Sequence, residues 1–329
     1  MLFRWGIKMP KYTVITPMYK SFDLMDRYFD SLENQSYKDF EVVIVDDCSP
    51  NDAYDRVLEY SKTSRLDIRV FKTEKNGGPG IARNVGMENA RGEWITFIDN
   101  DDWVDSNLFE EIENVLKTYS VDCIIYDYYI QKNGNNQVGH SMYIGNDGIV
   151  SVSDCVAFAR NHSIGKFYKL EKCKQLAIKF PALRKCEDVA FVARAIEACG
   201  SAYYLKKPLY HYVQRAESLS NNTALDESDM IQAFDIVERA LYAKYPQEMC
   251  EKSVTDLLYG VVLIMCKAKK SAKEIKMHIK FYTDKYPDWN KCKIIKSLSR
   301  AKRAFLFAVR RKWISMLRIL TWIHSKMIG

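Results

Sequence analysis

Along the first 126 residues the apolar positions switch between two periods. Five short β-prone runs, "YTVIT" (12–16), "FEVVIV" (40–45), "DIRVF" (67–71), "WITFI" (94–98) and "VDCIIY" (121–126), read as strands. Between them the spacing turns helical. Leu24, Tyr28 and Leu32 fall on one face of a first helix. Leu108, Ile112, Val115 and Tyr119 fall on one face of another, which opens with Asn107 and Glu110 at capping-box spacing. Strands alternating with helices predict βαβ units and a mostly parallel sheet covered on both faces. After about residue 225 the pattern is helical throughout.

Composition changes this picture in one place. At 329 residues, with 47% hydrophobic and 28% charged positions, the chain suits one large soluble domain, alone or with an appendage. The net charge of +7 is unevenly spread. From residue 291 onward there are eleven Lys and Arg and no Asp or Glu, which leaves −4 for residues 1–290. In that basic tail Ile294, Leu298, Ala301, Phe305, Val309, Trp313, Met316, Leu320, Ile323 and Met327 step by three or four. An apolar stripe carrying Trp and Phe beside a cationic face predicts a helix lying on the inner face of the cytoplasmic membrane. Packing on the rest of the chain and homodimer formation are the competing roles; a nucleic-acid partner is not expected.

Nine scattered cysteines without a CxxC pair predict reduced thiols and a cytosolic setting rather than a disulfide frame or zinc site. The opening "MLFRWGIKMPKYTVIT" lacks the apolar stretch of a secretory signal, and no run reaches about 18 apolar residues.

The chemistry gathers at strand ends. "WITFIDNDDWVDS" (94–106) drives an apolar strand into Asp99, Asp101 and Asp102. Carboxylates so close repel one another unless a positive charge shares them. Such a cluster is either a solvated acidic turn or a cation site. Parallel sheets bind ligands beyond the carboxyl ends of their strands. Thr16-Pro17 ends the first strand, Asp46 and Asp47 end the second, and Asp99 ends the fourth. "NGGPGIARNVG" (76–86) adds Gly77, Gly78 and Gly80 before a helix carrying Arg83, a loop able to offer backbone N–H groups to an anion. It has neither the Walker nor the dinucleotide spacing. Hard oxygen donors on a loop suit Mg²⁺ or Mn²⁺ held partly by a diphosphate.

Together, "VITPMYK", "VDDCSPND", "NGGPGIARNVG…ARGEWITFIDNDDW" and "CEDVAF" resemble the family 2 glycosyltransferases of bacterial surface-polysaccharide synthesis, over roughly residues 11–215. The resemblance implies a GT-A fold, a Rossmann-like, mostly parallel α/β sheet flanked by helices. It implies a catalytic domain over 1–222, with a nucleotide-sugar half (11–126) and an acceptor half (127–222), followed by a helical extension over 223–329. Thr16 falls where the family contacts the nucleotide and Asp47 where a carboxylate reads the uracil. Arg83 falls beside the nucleotide and diphosphate. Asp99, Asn100 and Asp101 match the DxD element, with Asp99 and Asp101 as metal ligands, Asp101 the more direct. Asp188 matches the catalytic base. Lys20 stands where many relatives carry Asn. "GKFYKLEKC" (165–173) resembles the stretch shaping the acceptor side, with Lys166 and Tyr168 as candidates. His211, in "PLYHYVQRAESLSNN" (208–222), either approaches the metal or packs between two tyrosines.

The activity so implied is metal-dependent, inverting transfer of a hexose or N-acetylhexosamine from a UDP-sugar to a hydroxyl of a glycan or lipid-linked acceptor. Such a reaction needs one carboxylate to take the acceptor's proton, and Asp188 with Glu187 beside it suits that role. Both also sit where acidic residues commonly favour a helix N-terminus. Two other readings are a haloacid-dehalogenase-type phosphatase and a non-catalytic, membrane-associated nucleotide- or carbohydrate-binding module. The phosphatase motif ordinarily lies in the first strand and ends in Thr or Val; here Asp-Trp follows the fourth.

Overall fold

The computed structural model describes residues 9–132, 134–215 and 227–328. Its strands are β1 (Tyr12–Met18), β2 (Phe40–Asp46), β3 (Asp67–Lys72), β4 (Trp94–Phe97), β5 (Trp103–Val104), β6 (Cys123–Lys132), β7 (Asn135–Gly139), β8 (Gly148–Val150), β9 (Lys166–Lys169) and β10 (Ala202–Val213). They form one sheet in the order β3-β2-β1-β4-β9-β6-β10-β5, with β7 added beside β6 and β8 beside β10. The half from β3 to β4 is parallel. All seven positions of β1 and of β2 are buried, which is why apolar residues fill most of both.

The helices are α1 (Asp26–Glu33), α2 (Ala53–Thr63), α3 (Pro79–Asn89), α4 (Leu108–Thr118), α5 (Val152–Phe158), α6 (Leu170–Gln175), α7 (Glu187–Cys199), α8 (Glu227–Leu241), α9 (Pro246–Ser253), α10 (Val262–Lys267), α11 (Ala272–Lys285), α12 (Ile294–Ser297), α13 (Arg300–Arg311) and α14 (Ile314–Ile328). Between α9 and α10 the coil widens into a π-helical stretch, Val254–Val261. Tyr12, Val14 and Met18 of β1 point into a core shared with α1 and α4. Ile15 points into the opposite core, which runs without a break through α5 and α7 to Leu317 of α14. The C-terminal helices therefore complete the cover of one sheet face. The division drawn at 222 and 223 lies outside the described residues.

Several expectations are corrected. The fifth run does not extend the parallel set, because antiparallel β9 lies between β4 and β6. Leu24 belongs to a separate single turn, Phe22–Leu24, and is exposed, so the first helix buries Tyr28, Phe29 and Leu32 instead. No capping box forms at α4. Asn107 bonds the Glu111 carboxylate at 3.1 Å, and Glu110 accepts from Ser36 Oγ at 2.8 Å.

The tail is not one amphipathic helix. Lys312, with φ 54°, turns the chain between α13 and α14, so the apolar phase restarts there. Ile294, Leu298, Phe305 and Val309 are buried, as are Leu306, Ile314 and Leu317, all in the core shared with the sheet. Ala301, Trp313 and Ile323 of the expected stripe are exposed. Among the described residues, no helix is long and apolar enough to cross a membrane.

Candidate active site

Where β1, β2 and β4 end, the chain places the acidic and glycine-rich segments side by side. The glycine loop does hold an anion, and it is one of the protein's own. The N–H groups of Gly77 and Gly78 donate to the Asp47 carboxylate at 3.0 and 2.7 Å, and Thr73 Oγ1 donates to it at 2.9 Å. Gly78 has φ 85°, a left-handed backbone that only glycine adopts without strain. Asp47 is thus buried as the anchor of this loop, and the loop's first amides are already occupied. Thr16 is likewise turned inward: its hydroxyl meets Tyr28 OH at 2.6 Å and the residue is fully buried. Its hydroxyl is thus engaged inside the protein. Lys20, at the position where many relatives carry Asn, has φ 59°, a region Asn tolerates far better than most residues.

The three carboxylates after β4 go three separate ways. Asp102, almost fully buried, accepts from Tyr210 OH at 2.6 Å and from Val213 N at 2.8 Å, and so ties β10 to the loop. Burial, with Asp101 and Asp99 adding, holds its pKa well above the usual carboxylate range. Asp99 Oδ1 accepts from Arg83 Nη2 at 2.8 Å. Asp101 is half-buried; burial and then Asp99 raise its pKa, while Arg215 opposes them. Arg215 Nη2 also donates to the Asp101 carbonyl at 3.2 Å. Asn100 Nδ2 bonds Ser21, which fastens the loop to the segment after β1.

Arg83 is the centre of the arrangement. Its buried guanidinium lies 2.8 Å from Asp99, 3.0 Å from Glu187 and 3.2 Å from Asp188. Two acidic segments nearly ninety residues apart are therefore held on one cation. α3 comes close enough to α7 that a Cβ on Gly80 would stand 2.8 Å from Glu187 Cγ. Burial works against the Arg83 charge but is outweighed by Asp99, Asp188 and Glu187, so it stays protonated. Burial and the Asp188 charge push Glu187 up to about 7, against the pull of Arg83. Burial also raises Asp188, opposed by Arg83 and by Ser163 N–H, which donates to Oδ2 at 3.0 Å. Just before this pair, Cys186 has φ 63°, a strained left-handed backbone that aims the first turn of α7.

Three further candidates are buried. Lys166 and Tyr168 are fully buried on β9, within the field of Asp188. Lys166 Nζ donates to the carbonyls of His162 and Ile164 at 2.7 and 3.3 Å, and burial draws its pKa down to about 7. His211 packs, though against other rings than the neighbouring tyrosines. It stacks on Trp103 at 3.4 Å and Tyr129 at 4.9 Å. Its Nε2 meets Asp105 at 2.7 Å and its Nδ1 meets Gln131 at 3.0 Å, so both ring nitrogens have partners. Residues 216–222 of the expected closing loop lie outside the described residues.

A divalent cation fits what remains. Asp99 Oδ2 and the Asp101 carboxylate are hard oxygen donors with no hydrogen bond from another residue among the described ones, and the charge on Asp101 is disfavoured as it stands. Among the described residues no three His, Cys, Asp or Glu form a metal cage. The reading of the sequence missed Ser163, which acts through its backbone and leaves no side-chain signal. It also missed Tyr210, which donates to Asp102 and accepts from Asp99 N–H at 3.1 Å.

The α/β sheet thus gathers acidic groups at the ends of its parallel strands, where the start of α7 meets them on Arg83. The profile of Glycosyl transferase family 2 matches residues 13–183, and the chain belongs to that family. Glycosyltransferase GlyA of Streptococcus pneumoniae is 30% identical over 223 residues, 64% of this chain and 31% of that protein. The poly(ribitol-phosphate) β-N-acetylglucosaminyltransferase TarS of Staphylococcus aureus is 33% identical over 120 residues, 36% of this chain and 21% of that one. This chain thus spans about a third or less of these relatives. The structure of TarS 1–349 with UDP-GlcNAc superposes with a TM-score of 0.68 at 23% identity, covering 96% of this chain and 92% of that one. A mannosyltransferase from Pyrobaculum calidifontis, bound to GDP-Man and Mn²⁺, gives 0.56 at 16% identity over 97% and 87%. The fold is GT-A with a helical C-terminal region.

Proposed function

We propose that the chain is a metal-dependent, inverting glycosyltransferase that moves a hexose or N-acetylhexosamine from a UDP-sugar to an acceptor hydroxyl in bacterial surface-glycan synthesis. The carrying observation is Arg83, which holds Asp99 of the DxD element and Asp188 on one guanidinium. The UDP-GlcNAc bound by TarS supports the donor class, and the Mn²⁺ of the mannosyltransferase supports the metal.

Asp99 and Asp101 would hold Mn²⁺ or Mg²⁺, which would offset charge on the departing diphosphate. Asp188 is the base. One of its oxygens is fixed by Arg83 and the other by Ser163 N–H, so the carboxylate is oriented before the acceptor arrives. Its raised pKa strengthens it as a proton acceptor. Arg83 keeps the two acidic segments together and opposes a second protonation.

The test is UDP release with Mn²⁺ and a panel of UDP-sugars, with and without a poly(ribitol phosphate) or lipid-linked acceptor. Asp188→Asn should lower transfer about 10²- to 10⁴-fold while UDP binding persists. Silence across the whole panel overturns the enzyme reading, and full transfer by Asp188→Asn overturns the base.

Placement on the cytoplasmic membrane surface is part of the same reading. It is supported by Phe307, Trp313, Ile319, Trp322 and Ile323, exposed among Arg310, Arg311, Lys312 and Arg318. Co-sedimentation with phosphatidylglycerol vesicles should be lost in Trp313→Ser/Trp322→Ser; equal sedimentation by that variant counts against it.

A further inference from the structure

The peptide between His162 and Ser163 is held on both sides. Its N–H, that of Ser163, donates to Asp188 Oδ2 at 3.0 Å, and its carbonyl, that of His162, accepts from Lys166 Nζ at 2.7 Å. A carboxylate and an ammonium thus grip the two polar ends of one planar amide. Lys166 is fully buried and also donates to Ile164 O at 3.3 Å, so carbonyl oxygens meet its charge. An apolar side chain would fill the same place on β9 without the cost of burying an ammonium. What the ammonium adds is polarisation: a cation on the carbonyl strengthens the N–H of the same amide as a donor.

The loop that carries this peptide, residues 159–165, connects α5 to β9. Arg160 N–H donates to Ser141 O at 2.8 Å near its start, and Gly165 O accepts from Tyr126 N–H at 2.9 Å at its end. Between these points the C-terminal region takes hold. Asn161 Nδ2 donates to Asp256 at 3.0 Å, and Asn161 Oδ1 accepts from Lys252. Lys252 and Asp256 are themselves a buried ion pair at 3.0 Å. One belongs to α9 and the other to the π-helical stretch, and both lie beyond the residues matched by the family profile. π-helical turns recur at functional sites. A side-chain amide bonded to both members of a buried ion pair is fixed in one orientation.

We propose that Lys166 and Asn161 are positioning residues for Asp188, acting through the 162–163 peptide, and that the Lys252–Asp256 pair anchors Asn161. This rests on the reading of Asp188 as the base of a transferase. With Oδ1 on Arg83 at 3.2 Å and Oδ2 on this N–H, the plane of the carboxylate is set from two sides. Lys166 then serves the base rather than the acceptor. The C-terminal region belongs to the catalytic architecture as well as covering a sheet face.

The test uses the full chain and three variants: Asn161→Ala, Lys166→Met and Lys252→Met/Asp256→Leu. Asn161→Ala cuts the link while the ion pair stays paired. The double change removes both charges at once, so no lone charge is left buried. Exchange of the Ser163 amide is followed by hydrogen–deuterium mass spectrometry with electron-transfer fragmentation. Each variant should exchange this amide about tenfold or more faster, with UDP binding unchanged. In Asp188→Ala, which removes the amide's acceptor, adding Asn161→Ala should change little. Transfer from a UDP-sugar that the wild type turns over should lose about tenfold or more in kcat at an unchanged donor KM. Equal protection of the amide in Asn161→Ala and Lys166→Met overturns the inference. So does a released amide with kcat intact, or an effect that adds fully to that of Asp188→Ala. If the wild type turns over no UDP-sugar, the transferase reading falls, and the amide exchange alone decides whether this peptide holds Asp188.

Discussion

The two charged centres of this molecule are built on opposite plans. Around Arg83, three carboxylates from two segments close on one buried cation, pairing both of its Nη atoms. Around Arg160 the guanidinium lies over the ring of Tyr143, its Nε is buried without a hydrogen-bond partner, and no carboxylate pairs with it among the described residues. A closed cluster is fixed by folding, because each charge is compensated as the elements pack. The difference separates a cation compensated by carboxylates from one held over an aromatic ring.

The largest expected effect breaks the closed side. Arg83→Met leaves Asp99, Glu187 and Asp188 together without their shared cation, at a cost of about 3–5 kcal/mol in unfolding free energy by urea titration. A loss below about 1 kcal/mol would mean the carboxylates do not depend on it.

A smaller effect sharpens the same point through pH. Glu187 has its folded-state pKa raised to about 7 from an ordinary value of 4.5. The stability it contributes is complete below about pH 4.5 and is lost as pH rises through about 7. Between pH 6 and 8 this amounts to about 1 kcal/mol. Thermal melts should show that slope in the wild type and a flatter one in Glu187→Gln; parallel profiles would remove Glu187 as the group that holds the proton.

The smallest concerns how the acidic pair is presented. Cys186→Gly should relieve the left-handed strain and raise stability by up to about 1 kcal/mol, read as a small gain in melting temperature. A fall would mean that the thiol's packing outweighs the backbone cost.

Much of the parallel half was readable from period alone. Strands buried on both faces must be continuous apolar runs, and their carboxyl ends must carry the polar groups. That placed Asp47, Asp99 and Asp101 at one edge before any coordinates. Asp188 came from the resemblance, since two acidic residues at a helix start are otherwise ambiguous. The tail misled because a repeat of three to four persists across a break. Lys312 in a left-handed turn resets the phase without disturbing the count, and the buried and exposed faces change partners there.

By its own pattern the sequence determined which segments become strands, where the parallel sheet ends, and that acidic groups crowd there. Those are local consequences of burial period and like-charge repulsion. Only the tertiary structure decided which charges meet. It spent the Thr16 hydroxyl on Tyr28, gave the glycine loop to Asp47, stacked His211 on Trp103, and set Arg83 between carboxylates far apart in the chain. Pairing of buried polar groups depends on distances between elements remote in sequence, and those distances are fixed only when the elements pack.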